Sequence, residues 1–306
     1  MTALVGGRTE RRVADRDRRA SHGAPEVVDH LALEAREHQR LIVTRFEVLH
    51  HFGKQLTHVN RALPQHAIEV VVAKASGGDA TRAKLDAART LAMEADLDDP
   101  QIADMLAPTD RSLRRELGEQ YWHQLEDALG PGMAAAVDHL PTMVTASALS
   151  SRGLPPTPPM DKVLRDRASE TRKRLVYLEP ATRQLAILRK WLDVRALKLI
   201  LDELPDAERR AQAMLSAYLA GDDQQLVALA DGERDQALHH GYSAAEYERE
   251  LAEMLYDRNV AWLAAIEGVH AEGGGFVAVG ALHLVGPHSV LALLGQRGYR
   301  VTRVGP

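Results

Sequence analysis

The sequence predicts an α/β fold: a mixed central sheet flanked by helices, with a large helical cap or insertion between the middle and C-terminal strands. Three observations lead there. Short apolar runs (Thr90 to Ala95, Arg174 to Glu179, Phe276 to Leu282 and Tyr299 to Val304) have the length and residue types of buried strands. Helical patterns separate these runs, and that alternation implies a parallel or mixed sheet. A run of helices extends from Pro180 to about Glu267, punctuated by Pro205, Gly221 and Gly241.

Taken in order, residues 1–79 stand apart. Seven of the fourteen histidines lie there (His22, His30, His38, His50, His51, His58 and His66), arginines crowd residues 8 to 19, and helical periodicity is poor. Leu41 to Val43 and Ile68 to Val72 each have the character of a short strand. Two readings stay open for this region: a basic, partly disordered extension, or a segment whose frame or start is not the native one. Regular patterning begins at Asp79, so residues 80–306 are expected to form the α/β domain. Ala80 to Arg89 reads as a helix, Thr90 to Ala95 as the first well-marked strand, and Asp110 as the N-cap of a helix to about Leu129. Gly130-Pro131-Gly132 breaks that helix, and another runs from Met133 to Ser150. Residues 153–159 are a stiff proline-rich loop. Asp161, at the start of a charged helix, is expected to cap it. After the helical block, Gly273 to Gly275 lead into the strand from Phe276, followed by a helix from Pro287 to Gln296.

Bulk composition narrows the function. At 306 residues, 45% hydrophobic and 26% charged, the chain is an ordinary globular sequence. A net charge of −5 and 4% aromatic residues argue against a nucleic-acid partner. There is no cysteine, so any metal site must use histidine and carboxylate ligands. No apolar run reaches the roughly 18 residues that a membrane span needs. The N-terminus as given has no signal-peptide h-region. A cytoplasmic location is therefore expected, or an extracytoplasmic one if the native N-terminus is missing.

The candidate chemistry lies at strand ends. Ligands of open α/β sheets bind outside the carboxyl ends of the strands. Gly280 and His283 stand at such an end, where glycine permits close approach. His283 could meet a ligand or metal there, or simply bond a nearby carbonyl. Tyr247, Leu251, Leu255, Trp262 and Ile266 mark the buried stripe of a helix from Ala244 to Glu267, and Arg258 falls on it with Asn259 alongside. A buried arginine needs an anionic partner, or else it snorkels to solvent. Glu94 and Glu179 each end a strand, where a carboxylate can be a ligand, a general base, an arginine partner or a surface group.

Arg258, Asn259 and Trp262, then Phe276 through Pro287, then Leu294 through Val301, resemble the C-terminal signature of the TraB/GumN family. Pro159 to Leu164 and Val176 to Glu179 are similar to that family's Asp-containing helix start and Leu-Glu strand. Ala217 to Asp222 resembles one of its turns, and Ala88 to Asp96 the strand carrying its first acidic residue. The resemblance covers about residues 80 to 306. The family is related to the Tiki proteases and, more distantly, to erythromycin-esterase and ChaN-like folds.

The resemblance implies a metal-dependent, peptidase-like hydrolase with a divalent metal (Mn, Co or Zn) and a peptide or small-molecule substrate. By matching position, His283, Glu94, Arg258 and Asn259 would be catalytic, Gly280 would border the bound group, and His283, Glu94 and His58 would hold the metal. Of the two Gly-x-x-His motifs implied, the second is Gly280 to His283. The nearest candidate for the first is Gln55 to His58, with glutamine in the glycine position. The alternatives are a catalytically impaired member that binds a peptide or small ligand, and a ChaN-like haem or metal binder.

Overall fold

The structure is a computed structural model that describes residues 67–71, 79–150 and 159–304. Five short strands appear among them: β1 (Ala67–Val71), β2 (Thr90–Met93), β3 (Arg174–Tyr177), β4 (Phe276–Ala278) and β5 (Arg300–Val304). The central sheet has the order β3-β2-β4, and β1 pairs with β5 in a separate two-stranded sheet. All of these pairings are parallel, so the described residues realise the parallel form of the expected α/β sheet. Ala92 lies opposite Val176 on one side and Val277 on the other.

Side-chain alternation explains how helices cover both faces of the sheet. Ala92, Val176, Leu178, Val277 and Val279 face the Asp257–Ala271 helix through Trp262, Leu263, Ile266 and Val269. Leu91, Met93, Leu175, Tyr177, Phe276 and Ala278 face the opposite way, onto Leu85, Leu164 and Ala168 of the Asp79–Ala87 and Met160–Glu170 helices. β2 is central, and all four of its residues are buried. Close packing leaves no room at the entry to β4. A Cβ on Gly275 would lie 2.6 Å from Val269 Cγ1 and 3.0 Å from the Thr90 carbonyl oxygen.

The helical cap is there, and it has two contributors. The expected block between β3 and β4 runs from Ala181 to Ala271. Helices between β2 and β3 join it: Trp122, Leu125, Met143 and Leu149 form one apolar core with Leu185, Leu188, Leu197 and Leu201.

Several boundaries differ from the sequence expectation, each for a local reason. The helix expected from Asp110 to Leu129 is two helices, Leu113–Leu117 and Glu119–Leu129, because Gly118 adopts φ 78° between them. Ser112, not Asp110, caps the first. The stretch from Met133 to Ser150 is also split, into Pro131–Val137 and Thr142–Ser150. Asp138 in the break accepts bonds from Ser112 Oγ at 3.0 Å and the Arg114 amide at 2.8 Å. Asp161 lies in the first turn of its helix, and Pro159 holds the cap position.

The expected stripe from Tyr247 to Ile266 is buried throughout. Its helix is interrupted by a π turn, Ala252–Tyr256, in which the Asp257 amide bonds to the Ala252 carbonyl. Such turns concentrate at functional sites, and this one ends two residues before Arg258. A membrane span is absent here too: among the described residues no helix is long and apolar enough to cross a bilayer. The strand expected at Leu41 to Val43 lies outside the described residues.

Candidate active site

Three adjacent strands each deliver one polar residue at or beyond their carboxyl ends. Glu94 follows β2, Glu179 lies two residues past β3, and His283 sits in the Ala281–Leu284 turn past β4. The ladder keeps the two acids in register, because the Glu179 amide bonds to the Glu94 carbonyl at 2.9 Å. The third strand stops earlier than its apolar sequence suggests. Ladder pairing ends at Ala278, and the Gly280 amide turns to donate to Glu94 Oε1 at 2.6 Å. That bond lets the chain curl into a 3₁₀ turn, which carries His283 inward to 1% exposure.

Arg258 binds these pieces together from the covering helix. Its Nε donates to Glu179 Oε1 at 2.7 Å, and its Nη2 donates to Glu94 Oε2 at 2.9 Å and lies 2.6 Å from Glu179 Oε1. Its Nη1 donates to the Met254 carbonyl at 3.1 Å and lies 3.4 Å from His283 Nε2. These five contacts match the five N–H bonds of a guanidinium. The guanidinium also lies over the Trp262 ring, 4.8 Å from its centroid, and the same ring packs on His283 at 4.3 Å.

Asn259 fixes the histidine. Its Nδ2 donates to the His288 carbonyl at 2.9 Å, which leaves its Oδ1 to accept from His283 Nδ1. The proton therefore resides on Nδ1, and Nε2 presents a lone pair. That lone pair lies 3.9 Å from Glu94 Oε1. The surroundings favour a neutral imidazole: burial, and then the Arg258 charge, hold the His283 pKa well below its ordinary value.

Glu94 is pushed the other way, to about 7, mainly by burial. The Asp161 and Glu179 charges also raise it, against the lowering effects of Arg258 and the Gly280 amide. Gln184 reaches Glu94 Oε2 at 3.4 Å. The group can thus hold a proton on Glu94 or release it near neutral pH, beside an unprotonated imidazole nitrogen. Groups poised in this way suit acid–base chemistry.

The structure brings Glu94, Arg258, Asn259, Gly280 and His283 into one buried cluster. His58 lies outside the described residues. The cluster also contains residues the sequence pattern left undecided or did not single out. Glu179 is the tighter of the two partners of Arg258; its strand-end position beside a helix with a buried arginine was the available signal. Gln184, at the start of the Ala181–Trp191 helix, gave no such signal.

The described donors meet a divalent ion's needs in part. His283 Nε2 and Glu94 Oε1 are the atom types that Mn, Co or Zn accept. Among the described residues, however, no three His, Asp or Glu side chains come together as a metal site, and the Arg258 guanidinium stands beside the pair. The described residues thus offer two of the donors a divalent ion needs and not a complete set.

The sequence model described as the TraB/PrgY/gumN family matches residues 75–303 of this chain, most of its length. No curated protein and no solved structure matches it at a significant level.

Proposed function

The chain belongs to the TraB/PrgY/gumN family, and from that premise we propose that it is a hydrolase acting on a peptide-like substrate, with Glu94 and His283 as its reacting pair. One observation carries the reading. His283 Nε2, left unprotonated by the Asn259 bond, faces Glu94 Oε1 at 3.9 Å beyond the carboxyl end of a parallel sheet.

A separation of 3.9 Å lets one oxygen lie within hydrogen-bond distance of both atoms. A water held there loses a proton to His283 Nε2 as its oxygen attacks the substrate carbonyl. Glu94, which titrates near neutrality, delivers a proton to the leaving amine as the C–N bond breaks. Arg258 keeps Glu94 aimed and, through Nη1, lies close to the site of developing negative charge.

The test has two arms. Metal content is measured by mass spectrometry for the full chain and for His283→Ala, and peptide cleavage is assayed for both in Mn²⁺ and Co²⁺. The reading expects cleavage in the parent chain and its loss in the variant. Unchanged metal stoichiometry in His283→Ala would remove His283 from any cation site, and unchanged cleavage would remove it from catalysis.

A second reading, a protein that binds a peptide or small ligand without cleaving it, has one observation in its favour. The reacting atoms already have hydrogen-bonding neighbours inside the protein, Arg258 Nη1 beside His283 Nε2 and the Gly280 amide on Glu94 Oε1. It predicts peptides that bind and are recovered intact.

A further inference from the structure

We propose that Glu179 Oε2 is a binding position for a protonated amine of the ligand. The inference builds on the site reading above and names the class of group that the site receives.

The two oxygens of Glu179 are used unequally. Oε1 takes both Arg258 contacts, at 2.7 and 2.6 Å. Oε2 is buried and has no hydrogen-bond partner among the described residues. The side chain as a whole is 1% exposed, and Arg183 Nη1 stands 3.8 Å from Oε2, beyond hydrogen-bond reach. Buried polar atoms are almost always paired, so an orphan of this kind marks a place where something outside the chain donates. Charge narrows what that is. Two carboxylates, Glu94 and Glu179, share one buried guanidinium. A neutral N–H would supply only the missing hydrogen bond, whereas an ammonium supplies a stronger, charge-assisted one. Arg183 sits on the exposed rim of the same carboxylate, where its mobile side chain can yield to a smaller cation.

The probes are trialanine and N-acetyl-trialanine, which differ in the charge and donors of one nitrogen. Binding to the full chain is measured by calorimetry at neutral pH. The parent chain should bind trialanine at least tenfold more tightly than the acetylated peptide. Glu179→Gln keeps an oxygen for Arg258 and can present an amide nitrogen in place of Oε2, and it should abolish the preference. Glu179→Asp, which withdraws the carboxylate by one methylene, should weaken it, and this variant serves if the glutamine form does not fold. His283→Ala should keep the preference while losing any cleavage, so a failure of the hydrolase reading and a failure of this one look different. Equal affinity for the two peptides in the parent chain, binding of neither, or a preference that survives Glu179→Gln would overturn the proposal.

Discussion

The side-chain amide of Asn259 decides which nitrogen of His283 carries the proton. It is anchored at one end by the His288 carbonyl and so offers only its oxygen to Nδ1. Everything the site can do with His283 Nε2 depends on that bond.

Asn259→Asp should therefore change the histidine more than the fold. A carboxylate beside Nδ1 stabilises the imidazolium, so the His283 pKa should rise from its depressed value. Asn259→Ala instead leaves two buried groups unpaired and should cost about 1–3 kcal/mol of stability. Histidine NMR titration and urea unfolding measure the two effects. An Asp variant whose His283 signal does not move would contradict the assigned tautomer.

Arg258→Met should be among the most damaging single changes. It leaves two buried carboxylates with only the more distant Arg183 guanidinium, 3.8 Å from Glu179 Oε2, and breaking a buried pair from one side costs about 3–5 kcal/mol. Adding Glu94→Gln and Glu179→Gln to it removes the stranded charges and should recover part of the loss. A triple variant less stable than Arg258→Met alone would show that the ionic network is not the source of the damage.

Stability should depend on pH through Glu94 and His283 in opposite senses, with Glu233 and Glu250, raised by burial to about 8 and about 7, acting in the sense of Glu94. Glu94 rises from an ordinary 4.5 to about 7 in the folded protein. The folded state thus binds more protons than the unfolded state between those values. Stability from this source is full below pH 4.5 and falls as pH rises through 7, by on the order of 3 kcal/mol. His283 is depressed below 6.5, so its contribution falls as pH drops below that value. Glu94→Gln should shrink the loss on the alkaline side to the part due to Glu233 and Glu250 and leave the acid limb. Urea midpoints measured from pH 5 to 8 decide it, and parallel curves for parent and variant would contradict the assignment.

Gly275→Ala should destabilise by about 1–3 kcal/mol through overpacking. The added carbon would meet the Val269 methyl and the Thr90 carbonyl, and the second of these is backbone and cannot turn aside. Thermal unfolding checks it; a variant as stable as the parent would mean β4 can move away from β2.

Much of this site was legible in the sequence. Gly280 and His283 announced themselves by following an apolar run, and Arg258 by interrupting an apolar stripe. Glu94 and Glu179 were visible as acids at strand ends. What could not be read was which acid the arginine would choose, because that depends on strand order, and strand order is a long-range property. The π turn at Ala252–Tyr256 was also hidden, since neither proline nor glycine marks it. The early end of β4 was invisible for a similar reason: the residue that draws the Gly280 amide out of the ladder is Glu94, 186 positions away.

That distance bears on how the chain comes into being. Synthesis delivers Glu94 and Glu179 well before Arg258, and the Arg258–Glu94 bond spans 164 positions. Until the arginine emerges, closing the sheet would bury two acids with no counter-charge, which is strongly unfavourable. β4, whose departing end receives Glu94, comes later still. The central layer therefore cannot be completed until Arg258 and β4 have emerged. A ribosome that stalls before residue 258 leaves behind helices without a finished core, open to proteolysis and to aggregation.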